Sequence, residues 1–95
     1  MTEREFVNAV ELRPRHTGRR IEFTTMATPQ MAEDGHGALG SQVTFRGLLI
    51  TVDNGRTGGR AWSRITLAPE DGAPLVTSVL GSHRRVELLA PADLP

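Results

Sequence analysis

Residues 41–53, SQVTFRGLLITVD, carry two apolar sets in opposite phase. Val43 and Phe45 share one strand face, while Leu48, Ile50 and Val52 share the other, because side chains alternate along a strand. Both sets reach one core only if a single residue is inserted between them. Arg46-Gly47 is the expected place for this bulge, since glycine accepts the irregular backbone. The next segment, AWSRITLA, tests the idea. With Asn54-Gly55 as a two-residue type I′ turn, Val52 faces Thr57, Ile50 faces Gly59 and Leu48 faces Ala61. Past the bulge, Phe45 faces Ser63 and Val43 faces Ile65. The inward residues of the fourth strand are then all odd-numbered, in agreement with Ile65 and Leu67.

The rest of the chain is read around this hairpin. Residues 5–12, EFVNAVEL, place Phe6, Val10 and Leu12 at the strand period, with Asn8 as the exception. RPRHTG follows as a turn, and RRIEFTT alternates Ile21 and Phe23 with Glu22 and Thr24. These two segments are expected to form a hairpin. Residues 26–40 lack strand alternation and form a long irregular loop, expected to be mobile. Thr28-Pro29 offers an N-cap and first helical position for a short helical turn within it. PEDGAP is a turn, LVTSVL and RVELLA are strands joined through GSHR, and the tail 91–95 ends the fold.

Six short strands separated by regular turns predict an all-β domain, a small six-stranded antiparallel barrel or sandwich. The strongly bent third strand favours an OB-like or Src-homology-like barrel, as an analogy of architecture. Ninety-five residues make one domain, and 38% apolar content suffices for a modest core. The N-terminal segment has no signal-peptide pattern and no stretch reaches the roughly 18 apolar residues of a membrane span. The expected compartment is the bacterial cytoplasm, with no membrane partner.

Absent residue types exclude chemistry. Without cysteine there is no disulfide or thiolate, without lysine no Schiff base, and without tyrosine no phenolic acid. Eleven arginines balance eleven acidic residues, so no net charge attracts polyanions. His16, His36 and His83 have no ligand spacing. Glu33, Asp34 and His36 stand close together, but in a glycine-rich loop that gives a metal little rigidity. No cofactor, metal or catalytic residue is assigned. Ser82-His83 and Glu70-Asp71 are adjacent pairs whose members point apart in a strand.

The stretch TVDNGRTGGRAWSR carries the only tryptophan. On the predicted register Trp62 faces outward opposite Arg46-Gly47, with Arg64 two residues along. A large aromatic covers a cross-strand glycine in this way; tryptophan beside arginine is also typical of interaction hot spots. The expectation is a non-enzymatic interaction module that self-associates or binds another protein, with Trp62, Arg46 and Arg64 as its face. Two alternatives are a nucleic-acid-binding barrel using Arg13, Arg15, Arg19, Arg20, Arg56 and Arg60, and a small ligand-binding or catalytic barrel with His36 or His83 near its mouth.

Overall fold

The computed structural model describes residues 4–89. Six strands form one antiparallel sheet: β1 (Glu5–Asn8), β2 (Arg20–Met26), β3 (Gln42–Thr57), β4 (Arg60–Pro69), β5 (Val76–Gly81) and β6 (Arg85–Leu88). Their spatial order is β1-β6-β2-β3-β4-β5. The all-β expectation holds, but the sheet is not closed into a barrel: among the described residues β1 pairs only with β6, and β5 only with β4.

The order nonetheless forces the sheet to curl. β5 lies at one edge, four strand positions from β6, yet only Ser82, His83 and Arg84 connect them. In a flat sheet four spacings amount to about 19 Å, while four residue steps reach at most roughly 14 Å. The link is tighter still, since the Arg84 amide donates to the Gly81 carbonyl at 3.1 Å. The two halves must therefore fold towards each other, enclosing one face. That face holds Ile21, Phe23, Phe45, Leu49, Val52, Ile65, Leu67, Val76, Leu80, Val86 and Leu88, all buried. Each large aliphatic among them contributes about 1.5–3 kcal/mol of burial.

The first predicted hairpin is corrected. β1 pairs with β6, and β2 lies between β6 and β3. The strand stops at Asn8 because that side chain caps a 3-10 turn, Ala9–Glu11: its oxygen accepts from the Val10 amide, and the Glu11 carboxylate accepts from the Asn8 amide. Ala9 and Leu12 then plug the enclosed space against β4 and β5, and a second 3-10 turn, Pro14–His16, runs beside β3. Phe6 points outward rather than into the core, between the guanidinium groups of Arg4 and Arg85 at 5.0 and 5.1 Å from the ring centre.

The central hairpin keeps its logic but not its register. The turn is Gly58-Gly59, not Asn54-Gly55, with Thr57 opposite Arg60. Both central positions need positive φ, and Gly58 (58°) and Gly59 (78°) supply it. Asn54 stays within β3, where its amide donates to the Leu12 carbonyl and the Ser63 hydroxyl, both at 2.9 Å. The bulge exists, but at Ile50, between the pairs Leu49–Leu67 and Thr51–Thr66. Leu49 and Val52 therefore face inward together, while Leu48 and Ile50, expected inside, are 44% and 43% exposed. The odd-numbered inward phase of β4 holds, with Ser63, Ile65 and Leu67 buried.

Gly47 stays in register for a different reason from the one expected. A Cβ there would lie 2.0 Å from the Ala68 carbonyl oxygen and 2.9 Å from the Pro69 Cα. The glycine permits close approach of two backbones where the sheet bends. In the 26–40 segment the short helix α1 (Pro29–Glu33) forms as expected, with the Thr28 hydroxyl accepting from the Met31 amide. Ala27 and Met31 are buried in the core, so this connection packs against it. The tail 91–95 lies outside the described residues. No helix among the described residues is long and apolar enough to cross a membrane.

The backbone contact at Gly47 generates a prediction. Gly47→Ala must push β3 from β4, because the obstructing atoms are main chain. We expect a loss of about 1–3 kcal/mol, read as a lowered melting temperature; an unchanged melting temperature would contradict the close approach.

Candidate functional site

Along the outer face, even-numbered β4 residues alternate with the buried set, and the register places Trp62 directly across from Gly55. The predicted type of contact is present, but against another glycine than the one expected. A Cβ on Gly55 would sit 2.1 Å from the indole ring, so the ring lies against bare backbone. The indole N–H donates to the Thr57 hydroxyl at 3.0 Å. Trp62 is consequently half-buried and fixed at both its face and its polar edge.

The other two members of the expected face are both held in ion pairs, and only Arg64 lies on the same strand as Trp62. Arg64 lies two residues along the same side, bound to Asp53 at 3.0 Å. Arg46 lies towards the far end of the β3–β4 ladder, next to the Gly47–Pro69 pair, where Glu22 holds it at 2.8 Å. It takes part in a charged row across the sheet. Glu22 and Glu87 stand opposite each other on β2 and β6, a repulsive pairing relieved by Arg46 on one and Arg4 on the other. The Arg4 hydrogen bond holds the Glu87 carboxyl below its ordinary range, and Glu22 raises the Arg46 guanidinium.

Trp62 has different neighbours. Its pairing with Gly81 brings the β5–β6 turn to the tip of the central hairpin. Between them opens a cleft of about 580 Å³, lined by Trp62, Val79 and His83 together with Arg56 and Arg60. Val79 is 62% exposed. No carboxylate lines the cleft, and among the described residues neither Arg56 nor Arg60 has an ion-pair partner; Arg56 donates instead to the Gly59 carbonyl at 2.9 Å. One cleft thus unites residues assigned from sequence to three separate readings.

The six arginines of the nucleic-acid alternative are divided. Arg56 and Arg60 occupy the hairpin tip. Arg13 and Arg15 lie on the 3-10 segment beside β3, Arg13 turned back to the Val10 and Leu12 carbonyls. Arg19 and Arg20 are neutralised by Glu5 at 3.7 Å and Glu70 at 2.5 Å. His16 accepts from the Arg13 amide.

At the other end of the ladder the balance reverses. Glu70, Asp71 and the α1 loop meet around a shallow groove of about 360 Å³ that includes His36, Phe45 and Arg46. The His36 ring meets Phe45 edge-on at 5.3 Å, and its Nε2 is buried without a hydrogen-bond partner. Among the described residues no three His, Asp or Glu side chains gather as metal ligands do.

Charge is unevenly paired in a molecule of zero formal net charge. Among the described residues Arg56 and Arg60, without an ion pair, stand at the hairpin tip, as Arg13 and Arg15 do on the 3-10 segment and Arg84 and Arg85 at the start of β6. At the β4–β5 turn Arg20 holds Glu70 and leaves Asp71 without an ion pair among the described residues. The β3–β4 ladder separates tip and turn, with ten residue steps along β3 from Gly47 to Thr57 spanning about 30 Å. The sequence lists these residues but not their distribution, since His83 and Val79 meet Trp62 only through the β4–β5 register.

The indole–glycine contact is open to test. In Gly55→Ala the added methyl meets the movable end of a side chain, not backbone, so the ring should swing outward. The emission maximum of the single tryptophan should shift to the red, with a smaller stability loss than Gly47→Ala causes; an unshifted maximum would contradict the contact. Comparison with known proteins finds no matching family model, no matching curated protein and no matching solved structure.

Proposed function

We propose that this chain is a non-enzymatic interaction module that associates with itself through the free edge of β5, its curled sheet serving as a barrel-type scaffold. One observation carries the reading: no strand among the described residues pairs with the outer edge of β5. Its sequence, VTSVLG, has no charge and no proline, and its pairing with β4 contains no bulge. These are the devices by which edge strands ordinarily avoid pairing. Outward along it stand Leu75 (58% exposed), Thr77 and Val79, an uncharged strip.

The opposite edge contrasts with it. β1 has four residues, follows Arg4, begins with the charged Glu5, and ends at the Asn8 cap. With one edge guarded and the other open, like pairs with like, and the two-fold dimer is the simplest closed assembly. The nucleic-acid alternative draws on the unpaired Arg56 and Arg60, but carboxylates hold Arg19 and Arg20, which weakens it.

Sedimentation equilibrium tests the reading. At micromolar concentration the mass should be twice the 10.3 kDa of one chain. Val79→Lys, which sets a cation on the pairing edge, should return it to a single-chain mass, still folded cooperatively but with a melting temperature that no longer rises with protein concentration. A single-chain mass for the wild type throughout would refute the proposal.

A further inference from the structure

We infer that the two copies pair antiparallel along β5, and that the acidic β4–β5 turn of each docks into the Trp62–Arg56–Arg60 cleft of the other. This rests on the reading of β5 as a self-pairing edge, and names the register and the groups that fix it.

The argument starts from where β5 begins and ends. Its first residue, Val76, pairs with Leu67 and follows the turn that holds Glu70 and Asp71; its last, Gly81, pairs with Trp62 beside the cleft. An antiparallel pair of β5 strands lays the Gly81 end of one copy beside the Val76 end of the other. The turn that precedes Val76 in the second copy then passes the cleft of the first. Two-fold symmetry repeats the contact, so each interface has two such sites.

The chemistry of the two surfaces matches. The cleft offers two guanidinium groups without carboxylate partners, a histidine and an apolar wall of Trp62 and Val79. Arg20 holds Glu70, so the turn offers Asp71, exposed and, among the described residues, bound at one carboxylate oxygen by the Ala73 amide at 3.0 Å, followed by Pro74 and the exposed Leu75. A carboxylate beside an apolar residue is the complement of an arginine pair beside an indole. A parallel arrangement would instead bring cationic tip against cationic tip, and acidic turn against acidic turn. This placement of charge therefore selects the antiparallel pair, as complementary charge fixes register at interfaces generally.

The experiment is a dimer dissociation constant, measured at low and moderate salt for five proteins. These are the wild type, Val79→Lys, Arg60→Glu, Asp71→Asn (which removes the charge and keeps an oxygen for the Ala73 amide) and the double variant Arg60→Glu/Asp71→Arg. A melting curve checks that each folds. The wild-type dimer should weaken with salt, Arg60→Glu should weaken it about tenfold, and Asp71→Asn by several-fold. The double variant, with its charges exchanged, should return to within about threefold of wild type.

A wild-type dimer that Val79→Lys abolishes but the charge variants leave unchanged would overturn the cleft assignment while leaving edge pairing intact. A monomeric wild type would overturn both. A single-stranded oligonucleotide of mixed sequence is the competing probe. Its tight binding at low salt, lost in Arg60→Glu with the mass unaltered, would assign the cleft to nucleic acid and overturn the inference.

Discussion

The three-residue link between β5 and β6 is the constraint on which the rest of this fold depends. A sheet in the order β1-β6-β2-β3-β4-β5 cannot be flat when its fifth and sixth strands are joined so briefly. Curling makes one face an interior, which is why Leu49, Ile65, Leu80 and Val86 are fully buried in so short a chain. It also dictates local detail. The extra residue at Ile50 and the missing side chain at Gly47 let β3 bend, and Ala9 and Leu12 fill the space left under β4 and β5.

The same link positions the candidate site. By returning the chain at the Trp62–Gly81 end, it sets His83 against the hairpin tip, whose Arg56 and Arg60 have no ion-pair partner among the described residues. The acidic β4–β5 turn is left at the far end of the same ladder. A net charge of zero concealed this separation, because composition sums charges and geometry distributes them. Ion pairs across the outer face hold several arginines, Arg46 and Arg64 among them, though both stay half-exposed.

What could be read from the sequence was local and periodic. The alternation of IEFT, the odd phase of β4, the GSHR turn and the Thr28-Pro29 helix start were legible because each depends on a few neighbouring residues. The bulge was legible as a necessity but not in position. Moving it from Arg46-Gly47 to Ile50 changes which apolar residues face outward, and only the backbone contact of Gly47 with Ala68 decides between them. The turn was misplaced because Asn54-Gly55 and Gly58-Gly59 are both good hairpin signals. The Asn54 amide is instead consumed by the Leu12 carbonyl, a partner 42 residues away in sequence. Asn8 and Glu11 did carry a readable signal, the spacing of a capping box, which ends the first strand early. The cleft was not legible, since it forms between hairpin and turn through long-range register.

The proposed pairing rests on the edge of β5 that no described strand covers, and hydrogen exchange reads it most directly. The β5 amides that do not bond to β4 should be protected when the protein is concentrated and should lose that protection on dilution. The amides of β3, paired on both sides, should stay protected throughout. Rapid exchange of those β5 amides at every concentration would contradict pairing along this edge.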